Sequence, residues 1–293
     1  DAVSLIQDKA GRVIGVVAKD NHTGKTTKFM ADKGVILATG GFGANVALRQ
    51  KVNTGVFKDY DLGKGIGCTN FNKSAQGSGI IMGEKVGAHV IGMSDIQVHP
   101  CGTPGTGLME MVRTSGRNRL FINKEGNRFV NEGGRRDDMT NALFAQTDAY
   151  MWIVMDSDTY PTGDERNNFG ETANQLVEAG RAVKADTLEE LAEKMNVPAD
   201  TLIAAVTEFN RHAEGGDLAG TPDEFGRTLY KTPIDTAPFY AAARVPTVHH
   251  TMGGVRINTN AQVLDENGNV IPGLYAAGEV TGGIHGSNRL GGN

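Results

Sequence analysis

An apolar run from Gly34 to Ala38 stops at Thr39-Gly40-Gly41, and a second, Leu274 to Ala277, stops at Gly278-Glu279. A short continuous apolar run reads as a strand buried on both faces, the condition of a parallel sheet. Glycine just beyond such a strand permits positive φ and lets backbone N–H groups approach a ligand with no Cβ in the way. Two strands that end alike place a site outside the carboxyl ends of a parallel sheet. Glu279 can there accept hydrogen bonds from ribose-like or polyol hydroxyls.

The glycines divide the chain. Of 40 in 293 residues, 10 fall in the 43 positions from 251 onward, against 10 in the 134 positions 117–250. Glycine-rich stretches are GVILATGGFG (34–43), HHTMGGV (249–255) and GLYAAGEVTGGIHGSNRLGGN (273–293). The opening alternates as a meander of short strands through Val3, Leu5, Val13, Val17 and Phe29, and 45–51 and 77–87 read as helices. The block between has another texture: a hairpin around Asn123-Lys124-Glu125-Gly126 and an apolar strand from Tyr150 to Met155. Thr187-Leu188-Glu189-Glu190 is a capping box, and Leu202, Ile203, Val206 and Phe209 make one face of a helix over 198–214. The expected fold is α/β and α+β: residues 1–99 and 244–293 form one domain, interrupted by an inserted α+β domain at 100–243.

A net charge of −5 provides no basic face for nucleic acid, and no apolar run approaches the length of a membrane span. Cys68 and Cys101 are too few for a disulfide framework and lack metal-ligand spacing, so both are expected as reduced thiols and no metal site is expected. The dinucleotide fingerprint G-x-G-x-x-G is absent. Its nearest approach, Gly77, Gly79 and Gly83, has the third glycine one position late and reads as helix packing.

HHTMGGV, IPGLYAAGEVTGGIHGSNRLGGN and VNEGGRRD together resemble the flavoprotein subunits of the fumarate reductase and succinate dehydrogenase superfamily, most of all soluble flavocytochrome c type fumarate reductases and their urocanate-reductase-like relatives. The resemblance covers essentially the whole chain. It implies a partial, Rossmann-like FAD-binding domain interrupted by a mobile capping domain that binds substrate. It also implies FAD in the parent protein, a small unsaturated carboxylic acid as substrate and an electron donor upstream of the flavin. Family members begin with a pyrophosphate-binding turn and end with a helix after NRLGGN. The chain is therefore expected to be an internal fragment, truncated at both ends, that retains no FAD and is inactive in isolation. A cytoplasmic location is expected for it, with the true N-terminus missing.

The resemblance assigns roles by position. His249 and Arg289 match the residues that hold one substrate carboxylate, with Gly292 adding a backbone contact, and His99 matches the histidine that holds the far carboxylate. Arg136 matches the arginine that delivers the proton; Glu110 and Arg113 match the relay that feeds it. His250 matches a flavin contact, joined at the cofactor by Thr39, Gly40, Gly41, Gly278 and Glu279. His22, His89, His212 and His285 are given no role by the resemblance and are expected to be structural or exposed.

One departure bears on substrate and another on the cofactor. Fumarate-specific members carry Thr immediately before the relay Glu, where Met109 stands here, and a thioether cannot donate a hydrogen bond. Ser78 replaces a family Asp near the FAD. An aryl or heteroaryl acrylate such as urocanate thus competes with fumarate, whereas Arg135 beside Arg136 favours a dicarboxylate. A 3-ketosteroid dehydrogenase-like flavoprotein is the other enzymatic reading, but it has no use for a carboxylate clamp.

Overall fold

The computed structural model describes residues 1–63, 65–69, 74–109, 119–167 and 170–289. In chain order the elements begin β1 (Ala2–Gln7), β2 (Val13–Lys19), β3 (Thr26–Met30), β4 (Val35–Leu37), α1 (Val46–Val52), β5 (Gly67–Cys68), α2 (Ser78–Lys85), β6 (Val90–Ile91) and β7 (Ile96–Gly102). There follow β8 (Leu120–Ile122), α3 (Arg136–Phe144), β9 (Met151–Met155), α4 (Ala173–Glu178), β10 (Val183–Ala185), α5 (Leu188–Met195), α6 (Ala199–His212) and β11 (Phe239–Thr251). The last are β12 (Gly254–Val255), β13 (Gln262–Leu264) and β14 (Val270–Ala276). The chain divides into two compact units, Asp1–Gln97 with Val248–Asn293, and Val98–Thr247.

In the first unit β1, β2 and β3 form the antiparallel meander that their alternation predicts. A second sheet runs β13-β14-β4, with β14 and β4 parallel and Ala276 opposite Leu37. Burial on both faces, expected for the strand at 34–38, does not hold. One face of β4 is covered and the other is not: Leu37 is buried, while Ile36, pointing to the opposite face, is 68% exposed, and β4 is also the edge strand of this sheet.

This unit also contains α1 and α2, of which α2 packs against β1 and β12. Asn45 caps α1, its side chain accepting from Leu48 N at 3.0 Å, and so satisfies one of the orphan donors of the first turn. The N–H of Gly77 (φ 73°), which caps α2, donates to Gly41 O at 3.0 Å. A Cβ at Gly79 would collide with Thr39 Oγ1, and one at Gly83 would lie 2.9 Å from Val255 Cγ1. These two glycines therefore let α2 lie close on β4 and β12, which is the packing role their spacing implies.

The second unit is a sheet of order β10-β11-β9-β8, with β7 also paired to β11. Side chains alternate across it. Leu120, Ile122, Val154 and Ala241 face α5 and α6, where Leu191, Leu202, Val206 and Phe209 close one core. Phe121, Ile153, Met155 and Tyr240 face α3 and α4, where Met139, Leu143 and Leu176 close another. Each large apolar side chain buried in this way is worth about 2–3 kcal/mol of transfer free energy.

Caps and turns in this unit differ from expectation in detail. At α5 only half the predicted box forms: Thr187 Oγ1 accepts from Glu190 N, while the Glu190 carboxylate turns to Asp186 N. The complete capping box is at α4, between Thr172 and Gln175. The hairpin at 120–130 narrows to one bridge, Ile122 with Arg128, and Asn123 Oδ1 ties its turn through Glu125 N and Asn127 N. No helix is long and apolar enough to cross a membrane, and no cluster of possible metal ligands exists among the described residues. Cys68 and Cys101 are both buried and not joined in a disulfide.

Candidate active site

In the first unit the parallel strands end side by side, with Ala277 N donating to Leu37 O at 3.0 Å. Beyond them Gly40 (φ 74°) and Gly278 (φ 81°) have backbones that only glycine adopts without strain, and a Cβ at either would meet nothing within 4 Å. Both open toward free space. Gly41 is different: a Cβ there would strike Thr251 Oγ1 and stand 2.6 Å from Glu279 Oε1. Its bareness serves a lock among three segments. Thr251 Oγ1 accepts from Phe42 N at 3.2 Å, and Glu279 Oε1 accepts from Thr251 N at 2.9 Å and from its hydroxyl at 3.3 Å. Glu279 is thus partly committed to the protein.

Next to this lock is a cavity of about 590 Å³, lined among others by His250, Ala277, Gly278, Glu279, Ile284, His285 and Arg289. Burial, then Arg289, then His285 push the His250 pKa down to about 4, so its imidazole is neutral at pH 7. His250 Nδ1 stands 4.0 Å from Glu279 Oε1, too far for a hydrogen bond. Nδ1 and Thr39 Oγ1 are buried without a hydrogen-bond partner. Such atoms are costly unless a ligand satisfies them. His285, expected outside any site, lines this cavity and meets the His250 ring edge-on at 5.6 Å.

His249, next along β11, faces Thr69 and Arg289 among the described residues. Its Nδ1 lies 2.7 Å from Thr69 Oγ1 and its Nε2 lies 2.8 Å from Arg289 Nη2. A guanidinium can only donate, so Nε2 is the acceptor and the ring proton sits on Nδ1, directed at Thr69. Arg289 is also held by its backbone, where Gln97 Nε2 donates to its carbonyl at 3.1 Å and to Asn288 Oδ1. Thr69 and Gln97 carry no motif signal, because each acts through a partner about 180–190 residues away.

The second unit holds His99 and Arg136. His99 is buried in β7, its Nδ1 accepting from Cys101 N at 3.1 Å. Arg136 is the first residue of α3, followed by Asp137 and Asp138 in a turn whose positive dipole end favours acidic neighbours. α3 is docked on β7 by Thr140 Oγ1, which donates to Val98 O at 3.0 Å. Burial pushes the Cys101 thiol up, while Arg119, Arg244 and Arg136 pull it down, so three guanidiniums surround it. Glu110, Arg113 and Gly292 lie outside the described residues.

Four residues upstream of Arg136, the Glu132 carboxylate is fully buried and accepts four hydrogen bonds. They come from Phe121 N at 3.2 Å, Arg128 Nε at 3.0 Å, Arg128 Nη2 at 2.9 Å and Arg227 Nη1 at 2.8 Å. Arg128 also reaches Asp223 at 2.6 Å. Burial alone would raise the Asp223 pKa, but bonds from Tyr230, the Arg227 amide and Arg128 hold it below the usual carboxylate range.

The whole chain, residues 1–293, matches the model of the FAD binding domain family. It is 41% identical over 293 residues to the NADH:acrylate oxidoreductase of Vibrio harveyi, an alignment covering 100% of this chain and 28% of that protein. It is 38% identical over 292 residues to the urocanate reductase of Eggerthella lenta, covering 99% of this chain and 46% of that one. Among solved structures it is similar to the open conformation of a flavocytochrome c3 fumarate reductase, with a TM-score of 0.75 and 33% identity over 99% of this chain and 48% of that one. The chain spans less than half the length of each of these relatives. The open glycine turns beyond two parallel strands and the family match agree: the chain belongs to the FAD-binding domain family, with relatives named as reductases of acrylate, urocanate and fumarate.

Proposed function

We propose that this chain carries the flavin- and substrate-binding residues of a reductase that saturates an α,β-unsaturated carboxylic acid, fumarate to succinate or a close analogue. The observation that supports it most is the Arg289–His249 pair: a guanidinium held 2.8 Å from a histidine acceptor, backbone pinned, at the rim of the His250 cavity. A guanidinium grips a carboxylate with two parallel N–H donors. Its charge then stabilises the negative charge that grows on the substrate as reduction proceeds, which is where differential binding accelerates a reaction.

His250, with its partnerless Nδ1, Thr39 with its partnerless hydroxyl, the open turns at Gly40 and Gly278, and Gly41 and Glu279 beside them are the residues that would hold the flavin. FAD bound by these residues would, when reduced, supply the hydride that one alkene carbon takes up, and an electron donor would reload it. The other carbon needs a proton to complete the addition, and Arg136 is its source in this reading, resupplied through Arg113 and Glu110. A guanidinium rarely gives up a proton. The positive end of α3 and the nearby Arg119 and Arg244 make that loss easier. His99 holds the far end of the substrate, and the unit Val98–Thr247 acts as the capping domain.

Met109 favours a second reading, reduction of an aryl or heteroaryl acrylate such as urocanate, because its thioether offers no hydrogen bond to a second carboxylate. Oxidation of reduced viologen by the protein with fumarate, urocanate, cinnamate or acrylate tests both. Turnover fastest with fumarate supports the first reading, fastest with urocanate or cinnamate the second. Turnover with none of the four, in FAD-loaded protein, removes both.

A further inference from the structure

The side chain of Arg49 points from α1 into the protein and is almost completely buried, yet none of its hydrogen bonds goes to a carboxylate. Its Nε donates to Leu62 O at 2.6 Å. Nη1 donates to Gly43 O at 2.8 Å and Gly67 O at 3.2 Å, and Nη2 to Gly63 O at 2.6 Å and to Ile66 O. All five donors of one guanidinium thus go to backbone carbonyls, four of them on Leu62, Gly63, Ile66 and Gly67, at or just before β5. β5 pairs with the end of β11, and Thr69 N donates to Val248 O at 2.9 Å. That register puts the Thr69 hydroxyl against the ring of the next β11 residue, His249.

Which nitrogen of a histidine carries the proton is set by the hydrogen bond made by the other. If the proton moved to Nε2, it would face the N–H of Arg289, donor against donor. The Nδ1–H form is the one compatible with Arg289, and Thr69 Oγ1 is the oxygen that accepts from it. We propose that Thr69 is a positioning residue: it holds His249 in the Nδ1–H tautomer, so that the Nε2 lone pair holds the Arg289 guanidinium ready for a carboxylate. The Arg49 cage fixes the loop that presents it. The last link rests on the reading of Arg289 as a carboxylate clamp; the tautomer does not.

Nitrogen-15 NMR of the intact, FAD-loaded protein labelled at histidine tests this, with the His249 signals assigned by their loss in His249→Gln. The wild type is expected to show a protonated Nδ1 and an unprotonated Nε2. Thr69→Val is expected to move the ring toward Nε2–H and to raise KM for the best unsaturated acid about tenfold or more, a loss near 1.4 kcal/mol, with kcat less affected. Thr69→Ser is expected to restore both. Should Thr69→Val fail to fold, Thr69→Ala removes the same acceptor. An unchanged tautomer in the variant overturns the proposal, as does a changed tautomer with KM unaltered. If no unsaturated acid is reduced, the reductase reading falls while the tautomer comparison still decides the role of Thr69.

Discussion

Arg289 Nη2 donates to His249 Nε2 over 2.8 Å, which places a guanidinium and an unprotonated ring nitrogen in direct contact at the rim of the cavity. Replacing Arg289 by Lys keeps the charge but loses the planar fork. We expect Arg289→Lys to lower kcat/KM for unsaturated acids by about 100-fold or more, measured by viologen oxidation, with thermal stability almost unchanged. An Arg289→Lys enzyme as active as wild type would remove the clamp.

His250 predicts an acid limit to stability. Its pKa falls to about 4 in the fold, below the ordinary 6.5, so from about pH 6.5 down to 4 the unfolded chain binds the proton and the folded chain does not. Stability is therefore undiminished by this group above pH 6.5 and declines as pH falls through that window, by about 3 kcal/mol in all at 1.36 kcal/mol per unit. Urea melts at pH 7.5 and 4.5 check it. His250→Gln is expected to lose less stability between these two pH values than the wild type.

Glu132 predicts a severe core variant. Glu132→Ala leaves Arg128 and Arg227 buried without the carboxylate they share. Breaking a buried pair from one side costs about 3–5 kcal/mol, so the denaturant midpoint should fall steeply. Glu132→Gln, which keeps the shape but not the charge, should lie between.

Gly41 and Gly40 predict a contrast between neighbours. Gly41→Ala drives a methyl group into Thr251 and Glu279, and overpacking of this kind costs about 1–3 kcal/mol with displacement of the lock. Gly40→Ala meets no atom, so its cost is limited to positive-φ strain of about 1–2 kcal/mol. If the cavity holds flavin, Gly41→Ala should also weaken FAD retention, read by equilibrium dialysis. Equal melting temperatures and FAD retention in wild type and Gly41→Ala would show the lock to be irrelevant.

Elements governed by neighbours in sequence were legible there. Alternation announced the β1–β3 meander, Asn45 the start of α1, and the apolar runs before Gly40 and Gly278 the parallel pair β4 and β14. The spacing of Gly77, Gly79 and Gly83 announced close helix packing. The motifs around His249, His250 and Arg289 announced residues that the fold gathers in one unit. The exposure of Ile36 was not legible, because a strand's composition does not reveal whether another element covers each face of its sheet. Nor were Thr69 or Arg49, whose neighbouring residues resemble ordinary loop or helix sequence, or His285, to which its motif gave no role.

By itself, then, the sequence determined the strand and helix types, the glycine turns beyond the parallel strands and the chemistry available to the site, because these follow from backbone preference and side-chain type. Only the tertiary structure decided that Thr69 faces His249 Nδ1, that Gly41 sits under a lock instead of an open turn, and that Glu279 is partly committed to Thr251. Each of those depends on atoms brought together across many tens of residues, and a hydrogen bond depends on distance and direction that no local pattern encodes.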